Sequence, residues 1–176
     1  APELQRVVAY FAKAADALAP TLTGATHAAD LLFTDGEAER AEALYRDGFS
    51  VCNAVVADAV AALASARPGL RILEVGAGIG STTEHVLPRL GADCSYRYTD
   101  ISSFFLRHGG ERVGSFGALD FSLLDLARDP ASQGEVGAYD LVLAGSVLHA
   151  TRNIAETLAH VRQLLAPGGV LLFIEE

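Results

Sequence analysis

From Arg71 onward, short apolar blocks alternate with stretches of helical spacing, and that alternation predicts a parallel sheet with right-handed helical crossovers. The predicted strands cover 72–75, 95–99, 119–124, 139–144 and 170–174. Between the second and third, Phe104, Phe105 and Leu106 mark a helix that Gly109-Gly110 should stop. Ile154, Leu158, Val161, Leu164 and Leu165 recur at helical spacing before Pro167-Gly168-Gly169 turns the chain into the fifth strand. Upstream the pattern is helical only. Leu4, Val7, Val8, Phe11, Ala14, Ala15 and Leu18 form one amphipathic stripe, ended by Pro20 and Gly24, and shorter helices are expected over 37–46 and 53–65. Pro68-Gly69 marks a boundary, so the division is a helical lid or N-terminal subdomain over 1–68 and an α/β core over 69–176. Tyr45 in the front part could reach a substrate or simply pack.

The stretch Glu74-Val75-Gly76-Ala77-Gly78-Ile79-Gly80-Ser81-Thr82-Thr83-Glu84 organises this pattern. It reads as the end of a buried strand, a glycine turn able to lie against a ligand, and the start of a helix that Ser81 and Glu84 would cap reciprocally. The spacing is G-x-G-x-G, and Ser81 stands where the dinucleotide fingerprint has its third glycine. Glu74 at the mouth of the strand would repel a pyrophosphate but suits a ligand with a cationic amino-acid end, such as S-adenosylmethionine. A nicotinamide-dependent oxidoreductase is disfavoured on both counts.

In an open parallel sheet the ligand lies beyond the carboxyl ends of the strands, so the residues ending each strand carry the information. They are Glu74, Asp100, Asp125, His149 and Glu175. Asp100 follows the glycine turn by about one βα unit, where an acid accepts both hydroxyls of a ribose; it could also cap the next helix. Ile101 would then offer an apolar face to the adenine ring, and Asp125 would accept from its exocyclic amine or else cap the turn before Asp129-Pro130. His149 sits in an otherwise apolar stretch on the same rim, and imidazole is the side chain best suited to take a proton near neutral pH. Glu175, ending the next strand, could orient the ring and stabilise its charged form. His27, His85, His108 and His160 are expected away from that rim, facing solvent.

Composition narrows the choice of partner. The 176 residues carry a formal net charge of −9, which leaves no basic patch for nucleic acid, and no apolar run is long enough to span a membrane. A cytoplasmic location is therefore expected. Cys52 and Cys94 have no metal-ligand spacing, and no metal site is expected. There is no methionine, and the chain stops in what reads as a strand, so a piece of a longer polypeptide is expected.

These motifs together resemble a known family. Residues 73–83, Tyr98-Thr99-Asp100-Ile101-Ser102, Leu124-Asp125 with Arg128-Asp129-Pro130, and Val147-Leu148-His149-Ala150-Thr151 followed by Pro167-Gly168-Gly169 are similar to the methyltransferase domains of modular polyketide synthases. Ala43-Leu44-Tyr45-Arg46-Asp47 resembles their lid region. The resemblance implies a Rossmann-like class I methyltransferase core whose terminal strand pair is missing from this chain. It implies S-adenosyl-L-methionine held by Glu74, Gly76, Gly78, Asp100, Ile101, Asp125, Leu126 and Ser146, with His149 and Glu175 as a catalytic base pair. Gly145-Ser146 stands where the family often has Ala-Asn. The implied substrate is a β-keto or β-hydroxy acyl thioester on an acyl carrier protein, methylated on carbon or oxygen, among neighbouring synthase domains. Some synthases carry catalytically silent domains of this fold, which is the alternative reading.

Overall fold

Ile72 and Glu74 point to one face of the first strand while Leu73 and Val75 point to the other, and all four are buried. That is the signature of a strand covered on both sides. In the computed structural model, which describes residues 2–26, 37–117 and 119–175, five strands form one parallel sheet in the order β3-β2-β1-β4-β5. They are β1 (Arg71–Val75), β2 (Ser95–Asp100), β3 (Asp120–Leu123), β4 (Tyr139–Gly145) and β5 (Leu165–Ile174). The order reverses between β1 and β4, so the crevice at the carboxyl ends of those two strands is the topological switch point.

The helices are α1 (Pro2–Asp16), α2 (Leu18–Leu22), α3 (Glu37–Ala66), α4 (Thr83–Val86), α5 (Ser103–Val113) and α6 (Ile154–Leu164). Contacts divide the chain within α3 into a unit of Ala1–Ser50 and a unit of Val51–Glu176. In the first, Pro20 lies inside α2 rather than ending a helix, because a proline in a first turn loses no helical hydrogen bond. The chain leaves α2 through Gly24 at φ 75°. Residues 27–36, with His27 and Leu31-Leu32-Phe33, and the side chains over 37–49, Tyr45 included, lie outside the described residues.

In the second unit the sheet is sandwiched. Val56, Ala57 and Val60 of α3 pack with Ile72, Tyr96, Leu141 and Leu143 on one face, and Val161 and Leu164 of α6 pack with Leu73, Val75, Val142 and Ala144 on the other. Arg71 holds Asp140 through Nε at 2.9 Å and Nη2 at 3.0 Å, pinning β1 to β4 at their amino ends. These bonds hold the Asp140 carboxyl down to about 2.

Four local expectations are corrected. The two helices expected over 37–46 and 53–65 are a single helix of 30 residues, since Gly48 costs only about 1 kcal/mol and packing of the second half outweighs it. The helix after β2 runs through Gly109-Gly110 to Val113. The capping box does not form: Glu84 is taken by Arg112 at 2.6 Å, and the residue before α4 makes no side-chain cap. Finally, β5 begins at Leu165 and absorbs Pro167-Gly168-Gly169 as an irregularity in its pairing with β4. No helix among the described residues is long and apolar enough to cross a membrane.

Candidate active site at the switch point

Gly76, Gly78 and Gly80 have φ of 59°, 59° and 81°, a region that side chains disfavour. A Cβ on Gly76 would stand 2.2 Å from Val147 Cγ2, so the loop after β4 seats directly on the turn after β1. At Gly78 a Cβ would meet nothing closer than the Gly76 carbonyl at 4.0 Å, leaving that side of the turn open. β2 stitches the turn down. Ala77 N–H donates to the Thr99 carbonyl at 2.9 Å, Thr99 Oγ1 donates to the Glu74 carbonyl at 2.7 Å, and Gly78 N–H donates to Asp100 Oδ2 at 2.9 Å.

Glu74 lies beneath the turn. It is 1% exposed, and one carboxylate oxygen accepts from Thr83 Oγ1 at 2.5 Å and from Tyr96 Oη at 2.7 Å. Burial pushes its carboxyl up from 4.5 to about 7, against the lowering effect of those two hydroxyls. A raised acid stabilises the fold below its unfolded value and loses that contribution as pH climbs through its folded value. Stability should therefore fall by something of the order of 3 kcal/mol between pH 5 and 8 on account of Glu74. Chemical denaturation of Glu74→Gln across that range checks this: the variant should lack that slope and exceed the parent at pH 8.

Asp100 is 5% exposed and accepts at both oxygens, from Gly78 N–H and, at 2.8 Å, from Ser102 N–H. Burial raises its carboxyl, and the backbone donors partly offset this. Each oxygen keeps a lone pair for a further donor. Beside it Ile101 is 67% exposed, an apolar face on the rim. Asp125 accepts from Ala127 N–H at 2.8 Å, and the turn at Pro130 is capped by Asp129 instead. Gln133 brackets the main chain of Asp125, accepting from its N–H and donating to its carbonyl, each at 2.9 Å. Leu126 is buried, and its carbonyl lies 2.8 Å from His160 Nδ1. His160 thus props the rim, contrary to expectation; His85 lies 2.9 Å from the Ser81 carbonyl and His108 stacks on Phe104.

His149 sits on the turn after β4, 58% exposed, with Nδ1 2.5 Å from Glu175 Oε2. Glu175 Oε1 accepts the N–H groups of Val147 at 3.0 Å and Leu148 at 2.6 Å. Burial pushes the Glu175 carboxyl up, but the bonds from His149 and these two amides outweigh it and hold it below the ordinary range. Because a carboxylate only accepts, Nδ1 carries the proton of that bond and Nε2 is the ring nitrogen left without it. Between turn and base lies Ser146 at φ 53°, the one non-glycine with positive φ among the described residues. Asparagine tolerates that region and β-branched residues do not. Ser146→Asn should therefore unfold at the same or higher urea than the parent, while Ser146→Val should lose about 2 kcal/mol.

The structure brings Gly76, Gly78, Asp100, Ile101, Ser146, His149 and Glu175 to the carboxyl ends of β1, β2, β4 and β5, places Asp125 and Leu126 just past the end of β3, and turns Glu74 inward. Sequence reasoning missed Thr83, Tyr96, Tyr98 and Gln133. The signal for the tyrosines was present, since two hydroxyls at alternate positions of a buried strand must find partners.

Fold and site together define a class I methyltransferase-like core. Residues 73–171 match the model of a methyltransferase domain, and the chain belongs to that family. Among curated proteins it is 39% identical over 163 residues to the highly reducing polyketide synthase resH of Aspergillus sclerotiorum, covering 88% of this chain and 6% of that protein. Among solved structures, the CurJ carbon methyltransferase matches 99% of this chain and 48% of its own, at 36% identity and TM-score 0.92. The trans-methyltransferase CalH, solved in complex with SAH, matches 97% of this chain and 48% of its own, at 34% identity and TM-score 0.82. The chain thus spans about half the length of these solved domains and a small part of the synthase.

Proposed function

We propose that this chain is the S-adenosylmethionine-binding and base-bearing part of a polyketide synthase methyltransferase domain, acting on the α-carbon of a β-ketoacyl thioester carried by an acyl carrier protein. The observation that carries this reading is the His149–Glu175 pair, seated by Val147 on the glycine turn. The open side of Gly78, the spare lone pairs of Asp100 and the exposed Ile101 fit a nucleoside with an adjoining amino-acid end. When bound, the cofactor supplies an electrophilic methyl group on a sulfonium.

The chain's own work is positioning and one proton transfer. Asp100 would take the ribose hydroxyls, Ile101 and the Asp125–Leu126 segment would bracket the adenine, and Gly76, Gly78 and Ser146 would lie along the amino-acid end. Glu74 would act from below, as the buried anchor of the turn. His149 Nε2 removes the proton between the two carbonyls, and Glu175 stabilises the imidazolium that results. Carbon rather than oxygen methylation is supported by the name carbon methyltransferase on the CurJ structure.

The test is intact-mass analysis of β-ketoacyl and β-hydroxyacyl carrier proteins incubated with the full-length protein and S-adenosylmethionine. One added methyl on the β-ketoacyl form alone is expected. A methyl on the hydroxyl form would assign oxygen instead, and none on either would identify a silent domain.

A further inference from the structure

Tyr98 is not among the residues assigned to substrate or cofactor. It is fully buried in β2, with its ring 5.3 Å from that of Phe121, yet its hydroxyl donates to the Gly78 carbonyl at 2.6 Å. Two residues along the same face of β2, Asp100 takes the N–H of that glycine at 2.9 Å. Both polar groups of Gly78 are therefore held by one strand. Burial, with Glu74 and Asp100 nearby, raises the Tyr98 phenol and keeps it a donor.

A second observation comes from α5. A Cβ on Gly109 would stand 2.0 Å from Tyr98 Oη and 2.6 Å from Cζ. This is why α5 passes through a glycine that, by propensity, should end it: only a bare Cα lets the helix close over the hydroxyl. Gly80 completes the enclosure, since a Cβ there would lie 2.9 Å from Val113 Cγ1 and 3.5 Å from Tyr98 Oη. Glycines from the turn and from α5 thus form a socket around one oxygen.

We infer that Tyr98 is a positioning residue for the cofactor turn, fixing the Gly78 peptide in its ligand-ready orientation, and that Gly109 is the socket that makes this possible. The inference rests on the reading of the turn as a methyl-donor site. A hydroxyl in this place constrains the turn's geometry at a point where the strand alone cannot, because β1 ends before it.

The test uses the full-length protein at a temperature well below unfolding, with S-adenosylhomocysteine titrated calorimetrically and methyl transfer followed in parallel. Tyr98→Phe should weaken binding about tenfold and raise KM for the methyl donor equally, with kcat changed by less than about twofold. Gly109→Ala should weaken binding further in the parent, and by somewhat less when added to Tyr98→Phe, because the 2.0 Å clash with the oxygen is gone while the one with Cζ at 2.6 Å remains. If Tyr98→Phe lowers Tm while Kd and KM stay within about twofold of the parent, Tyr98 is only a core support and the inference fails alone. If the unaltered protein does not bind S-adenosylhomocysteine, the inference and the reading beneath it fail together.

Discussion

On the proposed function, His149→Ala should slow methyl transfer by about 10²–10⁴ while leaving cofactor binding intact. The imidazole is 58% exposed and bonds to the Glu175 carboxylate, so its removal disturbs little packing. What would be lost is the base proposed for the reaction, and positioned general-base catalysis contributes about 10²–10⁴ in rate. The expected result is a fall of that size in kcat with an unchanged calorimetric Kd for S-adenosylhomocysteine. Glu175→Gln should give a smaller loss, since the amide can still accept from His149 but no longer stabilises an imidazolium. Glutamine has one acceptor oxygen where Glu175 uses two, so with that oxygen turned to His149 the Val147 and Leu148 N–H groups lose their acceptor, and a few degrees of Tm should go with it.

Asp100→Ala produces the opposite pattern, in which binding fails first. Both carboxylate oxygens are engaged with backbone N–H groups, one from the glycine turn and one from the residue before α5. Truncation leaves those donors unpaired in a buried setting, at a cost to stability of about 2 kcal/mol. It also removes the acceptor proposed for the ribose hydroxyls, whose bonds to a charged group are each worth about 1.5–3 kcal/mol, so Kd should rise at least about a hundredfold. Asp100→Asn separates the two effects. Its single remaining acceptor should preserve most of the stability, while binding still weakens by more than about tenfold.

The sheet was legible because a parallel strand buried on both faces leaves a near-continuous apolar block, and five such blocks stand out between turn residues. The site was legible for a related reason: once the strands are parallel, the residue ending each of them faces the ligand side. Asp100, His149 and Glu175 were expected on that rim for this reason, and the structure places them there. Glu74 shows where the rule needs a correction from side-chain alternation. It stands one residue short of the strand end, in register with Ile72, and therefore turns into the same covered face to meet Tyr96 and Thr83. The period of two contained that information.

Other features were decided by partners remote in sequence. Ser81 and Glu84 have capping-box spacing, but Arg112, on a helix beyond β2, claims the Glu84 carboxylate. Gly109 looks like a helix stop until Tyr98 is placed opposite it. The strained Ser146 has no local mark at all. Its backbone is set by the bond from its N–H to the Ile174 carbonyl at 2.8 Å and by the need to deliver Val147 onto Gly76.

Whether the glycine turn and His149 act on one bound cofactor, as proposed, is measured directly by a crystal structure of the full-length protein with S-adenosylhomocysteine. The ribose should lie on Asp100 and the adenine over Ile101, with the sulfur on the side of the pocket that His149 Nε2 faces. A cofactor bound elsewhere, or bound on the turn with its sulfur directed away from His149, would contradict the proposed site.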